Sequence, residues 1–144
     1  FRAEAELMNA GVQVRESTLD VYARCLACRA EALSELTNGW SKGYDAYDGT
    51  VRCQIRGFIK PVGEERMFLT DVPQREAPRY DRFIYVYFDA DLLATDAGTL
   101  PLSAVKALGV RTHRRRRLYA GPHIGSHPEH RDILREISLV QVGE

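Results

Sequence analysis

The chain has 144 residues, 44% of them apolar, and its 20 Lys and Arg are matched by 20 Asp and Glu. That length suits one domain burying about two-thirds of its unfolded surface, and zero net charge excludes a polycation that coats nucleic acid or anionic membrane over its whole surface. Three cysteines, an odd number in a chain too large to need stapling, and no leader or long apolar run together predict a reducing, cytoplasmic setting with no membrane partner.

The chain opens at Phe1, the start expected of a trimmed or processed piece. No repeat, low-complexity linker or composition shift divides it, so residues 1–144 are read as a single domain.

Taken in order, FRAEAELMNA (1–10) predicts a short helix ending near Gly11. STLDVYARCLACRAEALSELTNG follows, with Ser17 as N-cap, Asp20 as its capping-box partner and a stop at Asn38-Gly39. Leu19, Tyr22, Ala23, Leu26, Ala30 and Leu33 recur within it at helical spacing, which predicts a helix of about five turns.

GYDAYDGTVRCQIRG (43–57) reads as a hairpin turning at Asp48-Gly49, a favoured pair where both central residues need positive φ. Pairing Tyr47 with Thr50 places Ala46 opposite Val51 and Asp45 opposite Arg52. Asp45 then shares a face with Arg52, Gln54 and Arg56. The other face of the second strand is Val51, Cys53, Ile55, Gly57 and Ile59, apolar apart from its glycine. This register raises Asp45 above an ordinary solvated turn residue, while Asp48 is read as a turn former. Gln54 and Arg56 fit either a site or the solvent face of a strand.

Residues 61–80 contain three prolines and read as loop with a short strand around Met67 to Thr70. RFIYVYFDAD (82–91) holds six successive apolar or aromatic residues, Phe83 to Phe88, and predicts a strand buried on both faces. LPLSAVKALG predicts a short helix after Pro101, ending at Gly109. VRTHRRRRLYAG is a basic strand or an exposed connection. SHPEHRDILREISLV predicts a last amphipathic helix with Ser126 as N-cap and Ile133, Leu134 and Ile137 inward. The order of elements predicts an α/β sandwich built on a small mixed sheet.

A glutamate in the first long helix, Gly43-Tyr44-Asp45-Ala46, the Asp48-Gly49 turn and Gln54-Ile55-Arg56-Gly57 together resemble the PD-(D/E)XK nuclease superfamily. The similarity is to bacterial members that read GYDA, a short turn, then QIKG, and Arg79-Tyr80-Asp81 before the apolar strand extends it over roughly residues 17 to 109. The resemblance implies a restriction-endonuclease-like α-β-β-β-α-β core with a small mixed sheet flanked by helices. It implies hydrolysis of DNA phosphodiester bonds by an endonuclease using Mg²⁺ or Mn²⁺, often as a homodimer. By position, the metal-binding aspartate falls on Asp45, the second ligand on Gln54 and the catalytic lysine on Arg56. The helix glutamate falls on Glu31, with Glu35 as the competing choice.

Two oxygen ligands on neighbouring strands, with Cβ atoms about 5 to 8 Å apart, suit Mg²⁺ with waters and a phosphate oxygen completing its shell. Such an ion stabilises charge on the scissile phosphate and helps generate hydroxide. Arginine in the lysine position accepts no proton near neutrality and grips phosphate as a planar fork. The expectation therefore divides between a domain that cuts and one that holds nucleic acid or a protein partner without cutting. A third reading is an interaction protein whose polar row is only surface.

Arg114, Arg115, Arg116 and Arg117, grouped with Arg52, are candidate contacts to a nucleic-acid backbone, sequence-blind and salt-sensitive. In a strand, alternate arginines face opposite ways, so at most half meet one phosphate row. A charged edge that resists aggregation is the competing reading. Cys25 and Cys28 form a CxxC inside a helix, which suits structural thiols better than zinc. His123, His127, Glu129 and His130 have ligand-like spacing, but Pro122, Gly125 and Pro128 make a loop-to-helix corner the simpler explanation.

Overall fold

The computed structural model describes residues 18–35, 44–59, 67–73, 80–113 and 115–143. Its elements are α1 (Thr18–Ala30), β1 (Ser34–Glu35), β2 (Ala46–Asp48), β3 (Val51–Ile59), β4 (Phe68–Asp71), β5 (Arg82–Phe88), β6 (Ala94–Pro101), α2 (Leu102–Leu108), β7 (Val110–Thr112), β8 (Arg115–Tyr119), α3 (Pro122–Gly125), β9 (Arg131–Asp132) and α4 (Leu134–Val142). The predicted helix over 1–10, its successor's caps at Ser17 and Asn38-Gly39, and Arg79 lie outside the described residues.

A mixed sheet runs β1-β2-β3-β5-β6-β9, and a second, smaller sheet runs β4-β8-β7. β3 and β5 are parallel, while β1-β2, β2-β3, β5-β6 and β6-β9 are antiparallel. The run Phe83–Phe88 is buried from both sides, as a two-faced apolar strand must be. Ile84, Val86 and Phe88 pack with α1 and with Ile133 and Ile137 at α4. Phe83, Tyr85 and Tyr87 point the other way, into a core completed by Leu69, Leu118, Val105 and Ile124 from the small sheet, α2 and α3. The fold is thus a mixed α/β one: helices on one face of the sheet, a second sheet with two short helices on the other.

Gly57 sets how closely α1 approaches. A Cβ there would strike the Leu19 carbonyl and come within 3.0 Å of Ala23 Cβ, so only glycine lets the helix backbone rest on β3. Cys53 and Ile55, on the same face of β3, are buried with it under the helix.

Several local expectations shift. The hairpin turns at Gly49-Thr50, with Gly49 at φ 59°, and Asp48 pairs with Val51. Because the displacement of register is even, the face assignment survives: Tyr47 meets Arg52 and Ala46 meets Cys53. Helix α1 stops at Ala30, well short of residue 38, and Ala32 at φ 53° turns the chain into β1. Residues 31–35 are good helix formers locally, but pairing Ser34 and Glu35 with β2 overrides propensity.

The last helix starts at Leu134, not near Ser126. Ser126 instead closes α3 by donating from Oγ to the Pro122 carbonyl at 3.0 Å, and Asp132 takes the Leu134 N–H at 2.8 Å. Strand β6, ATDAGTLP, has no strand pattern of its own and forms along β5. No described helix is long and apolar enough to cross a membrane.

Candidate functional site

Strand β3 outruns its neighbour. β2 begins at Ala46, opposite Cys53, so β3 backbone donors beyond that point face no strand partner on that edge. Side-chain carboxylates replace the missing ladder. Asp45 donates its own N–H to the Cys53 carbonyl at 2.8 Å and accepts the Ile55 N–H on Oδ2 at 2.8 Å. Asp20, reaching from α1, accepts the Gly57 N–H on Oδ1 at 2.9 Å. On the opposite edge, before the parallel ladder with β5 begins, Asp81 accepts the Arg52 N–H on Oδ2 at 2.8 Å. Three aspartates thus satisfy three strand donors that burial would otherwise leave costly.

Arg56 closes over this edge. Its Nη1 donates to the Ile55 carbonyl at 3.1 Å and to Asp45 Oδ2 at 3.4 Å. The Asp45 side chain is 12% exposed and that of Arg56 33%, so this charge pair is only partly open to water. Gln54, between them and Arg52 on the polar face, accepts on Oε1 from the Thr70 hydroxyl of β4 at 2.8 Å. Tyr80 stands nearby, and burial pushes its phenol up to about 12.

Asp45, Gln54 and Arg56 therefore do come together, with the carboxylate neutralised by the guanidinium. A magnesium ion needs about six oxygens near 2.1 Å. Here Asp45 Oδ2 is already shared by an N–H and a cation, and the Gln54 oxygen holds a hydroxyl. Among the described residues no group of three or more His, Cys, Asp or Glu is gathered to hold a metal. As arranged, this donor set does not fit a magnesium ion unless Arg56 withdraws.

The acid beside the pair is Asp20, which reaches β3; its expected capping-box partner, Ser17, lies outside the described residues. Burial raises its pKa above the ordinary carboxylate value; the Gly57 N–H and Arg56 oppose this, and the charge of Asp45 adds to it. A carboxyl with a raised folded pKa contributes fully below its unfolded value and loses that contribution as pH rises through the folded one. Asp20→Asn keeps the acceptor for Gly57 and removes the titration. Its urea midpoint relative to wild type is expected to rise between about pH 4 and pH 7. A gap that stays constant with pH would show that Asp20 titrates as it does in the unfolded chain. The sequence did hold one signal for Asp20: the lone glycine in an apolar strand face marks close approach of another backbone.

Glu31 and Glu35 go elsewhere. Glu31 lies in the turn after α1, not on a helix, and its carboxylate pairs with Arg131 of β9. Glu35 lies on β1 and accepts from Arg24 Nε at 2.8 Å. Neither supplies the acid beside Asp45. Arg52, grouped with the nucleic-acid contacts, forks onto Asp81 through Nε at 3.1 Å and Nη2 at 3.2 Å. That guanidinium holds the Asp81 pKa below its usual value.

The arginine run divides as a strand must. Arg114 lies outside the described residues. β8 is the middle strand of the small sheet, which corrects the reading of it as an edge. Arg116, exposed and on the strand face that carries Leu118, donates from Nη2 to the Lys106 and Gly109 carbonyls, at 2.7 and 3.0 Å, at the C-terminal end of α2, where a cation is favoured. Arg115 and Arg117 face outward. Arg115 lies 3.8 Å from Asp71, and Arg117 donates to Asp71 at 3.3 Å with its guanidinium 4.7 Å from the centre of the Phe68 ring. Phe68 and Tyr119 pair across the same outer face, ring centres 6.3 Å apart.

Cys25, Cys28 and Cys53 are buried and outside any disulfide, and burial pushes the Cys28 thiol up to about 12. His127 accepts the Glu129 N–H at 3.0 Å, within the corner between α3 and β9. No family model and no curated protein matches the chain.

Proposed function

We propose that this domain binds the phosphate backbone of nucleic acid, DNA before RNA, on a PD-(D/E)XK-like core that holds without cutting. The observation that carries this reading is the Arg56 guanidinium 3.4 Å from Asp45, the residue on which the resemblance puts the metal-binding aspartate. Within the main sheet, the order helix, three antiparallel strands, then β5 parallel to β3 supports the restriction-endonuclease-like reading. Asp45 at the mouth of the hairpin supports it too. Between β3 and β5 the described residues contribute a strand of the second sheet where that core has its second helix.

Contact with the backbone runs through the outer face of the small sheet. Arg115 and Arg117 supply charge, and Phe68 and Tyr119 supply flat apolar surface, the combination that grips single strands without reading sequence. Their pairs with Asp71 are exposed ones worth about 0 to 1 kcal/mol, which a phosphate can displace.

The test is fluorescence anisotropy with labelled single-stranded and duplex DNA. Binding is expected to fall steeply with salt and to weaken about tenfold in the Arg115→Ala/Arg117→Ala double variant. Plasmid nicking with Mg²⁺ or Mn²⁺ is run on wild type, Arg56→Lys and Asp45→Asn. Nicking by wild type that Asp45→Asn abolishes would restore a magnesium-dependent nuclease. Absence of DNA binding at low salt would move the reading to a protein-interaction module.

A further inference from the structure

On the face of the main sheet covered by α3, strands β5, β6 and β9 set out two cross-strand rows. Tyr85 stands opposite Gly98, and Gly98 opposite Asp132; two residues along, Tyr87 stands opposite Asp96. Directly opposed residues share a face, so these side chains rise on one side. Gly98 leaves a gap in the first row, and His130 fills it, its Nε2 2.7 Å from the Tyr85 hydroxyl. A Cβ at Gly98 would come within 2.5 Å of that hydroxyl and would also strike the imidazole. The chain from Ala120 to Gly125 borders the other side, and a cleft of about 460 Å³ lies between. Small-molecule sites commonly occupy about 300 to 1,000 Å³.

The lining has one sign of charge. Asp96 and Asp132 border the cleft, and among the described residues no lysine or arginine does. Asp132 spends one oxygen on the Leu134 N–H. Asp96 has no ion-pair partner among the described residues. The Tyr85 and Tyr87 rings, centres 5.2 Å apart, form an aromatic wall. Tyr87 is 8% exposed, yet no described residue hydrogen-bonds its hydroxyl. A polar group on a largely buried side chain favours a partner, and this hydroxyl belongs to a residue that lines the cleft with Asp96. Burial, and after it the charge of Asp96, pushes the phenol up to about 12, so it stays a neutral hydroxyl.

We infer that this cleft binds a small organic cation, an ammonium or guanidinium with N–H donors on an apolar stem. Its N–H groups donate to Asp96, to Asp132 and to the Tyr87 hydroxyl, while the stem and charge lie along the two rings. An anion meets two carboxylates here, and a neutral ligand leaves Asp96 desolvated and unpaired. The site is independent of Asp45 and Arg56 and of any nucleic-acid contact.

The experiment titrates agmatine into the full chain by calorimetry and by amide NMR. n-Butylurea serves as the uncharged match. Physiological ionic strength screens diffuse surface charge beyond about 8 Å. Agmatine is expected to move the amides of residues 96–98 and 130–132 and to bind at least tenfold more tightly than n-butylurea. Asp96→Asn is expected to weaken it at least tenfold and Tyr87→Phe about fivefold. Asp48→Asn, which removes a charge at the hairpin, should leave it unchanged. Equal affinity for the two ligands, affinity indifferent to both cleft variants, or no agmatine binding up to about 50 mM each overturns the assignment.

Discussion

Gly57→Ala is expected to cost about 3 kcal/mol, the upper end of overpacking effects, because the added carbon meets backbone and not a side chain that can rotate away. The Leu19 carbonyl belongs to the first turn of α1, so relief requires the helix to lift from β3. Lifting it also draws Asp20 off the Gly57 N–H and loosens the packing of Val21, Ala23 and Leu26. Against a total stability of about 5 to 15 kcal/mol, this is a large fraction. For a chain of this size it corresponds to a thermal midpoint lower by about 10 °C, read by circular dichroism. A midpoint within about 2 °C of wild type would mean that α1 does not rest on β3 as described.

Asp45→Ala is expected to cost about 2 to 3 kcal/mol, since it removes a charged acceptor from a buried N–H and strands the Arg56 guanidinium. The loss stays below that of a fully buried pair because Arg56, 33% exposed, can swing toward water. Asp45→Asn keeps an oxygen for the Ile55 N–H and should cost about 1 kcal/mol. Urea unfolding of the two variants measures the difference. If Asp45→Ala costs less than about 0.5 kcal/mol, the carboxylate is not holding the strand edge. It would then be available as a metal ligand, and the holding function proposed above loses its main support. The asparagine variant is the one suited to cleavage assays, because it tests the charge without opening the strand.

Elements with strong internal periodicity were readable from residues alone. The apolar run Phe83–Phe88 predicted burial on both faces, and both faces are buried. The hairpin face carrying Asp45, Gln54 and Arg56 was also legible, because strand alternation tolerates an even slip in register: the turn moved by one residue and the face did not change. Alternation likewise required the arginine run to split, and it does: Arg115 and Arg117 share Asp71, while Arg116 goes to the Lys106 and Gly109 carbonyls.

Partners were not legible, because a partner depends on where a neighbouring strand ends. Asp45 binds Ile55 since β2 stops short of it, and Asp20 binds Gly57 since α1 lies on that same edge. Glu31 missed the site because pairing of β1 with β2 ended the helix early, a tertiary contact no helix propensity reports. Strand β6 was invisible for the same reason: Thr, Asp and Gly carry no strand pattern, and β5 supplies the ladder. With it came the cleft of Tyr85, Tyr87, Asp96 and His130, four residues from three segments. Local chemistry, then, settles which way a side chain faces, since alternation acts between adjacent residues. What that side chain meets is settled by where distant backbones begin and end, and only the folded chain contains that.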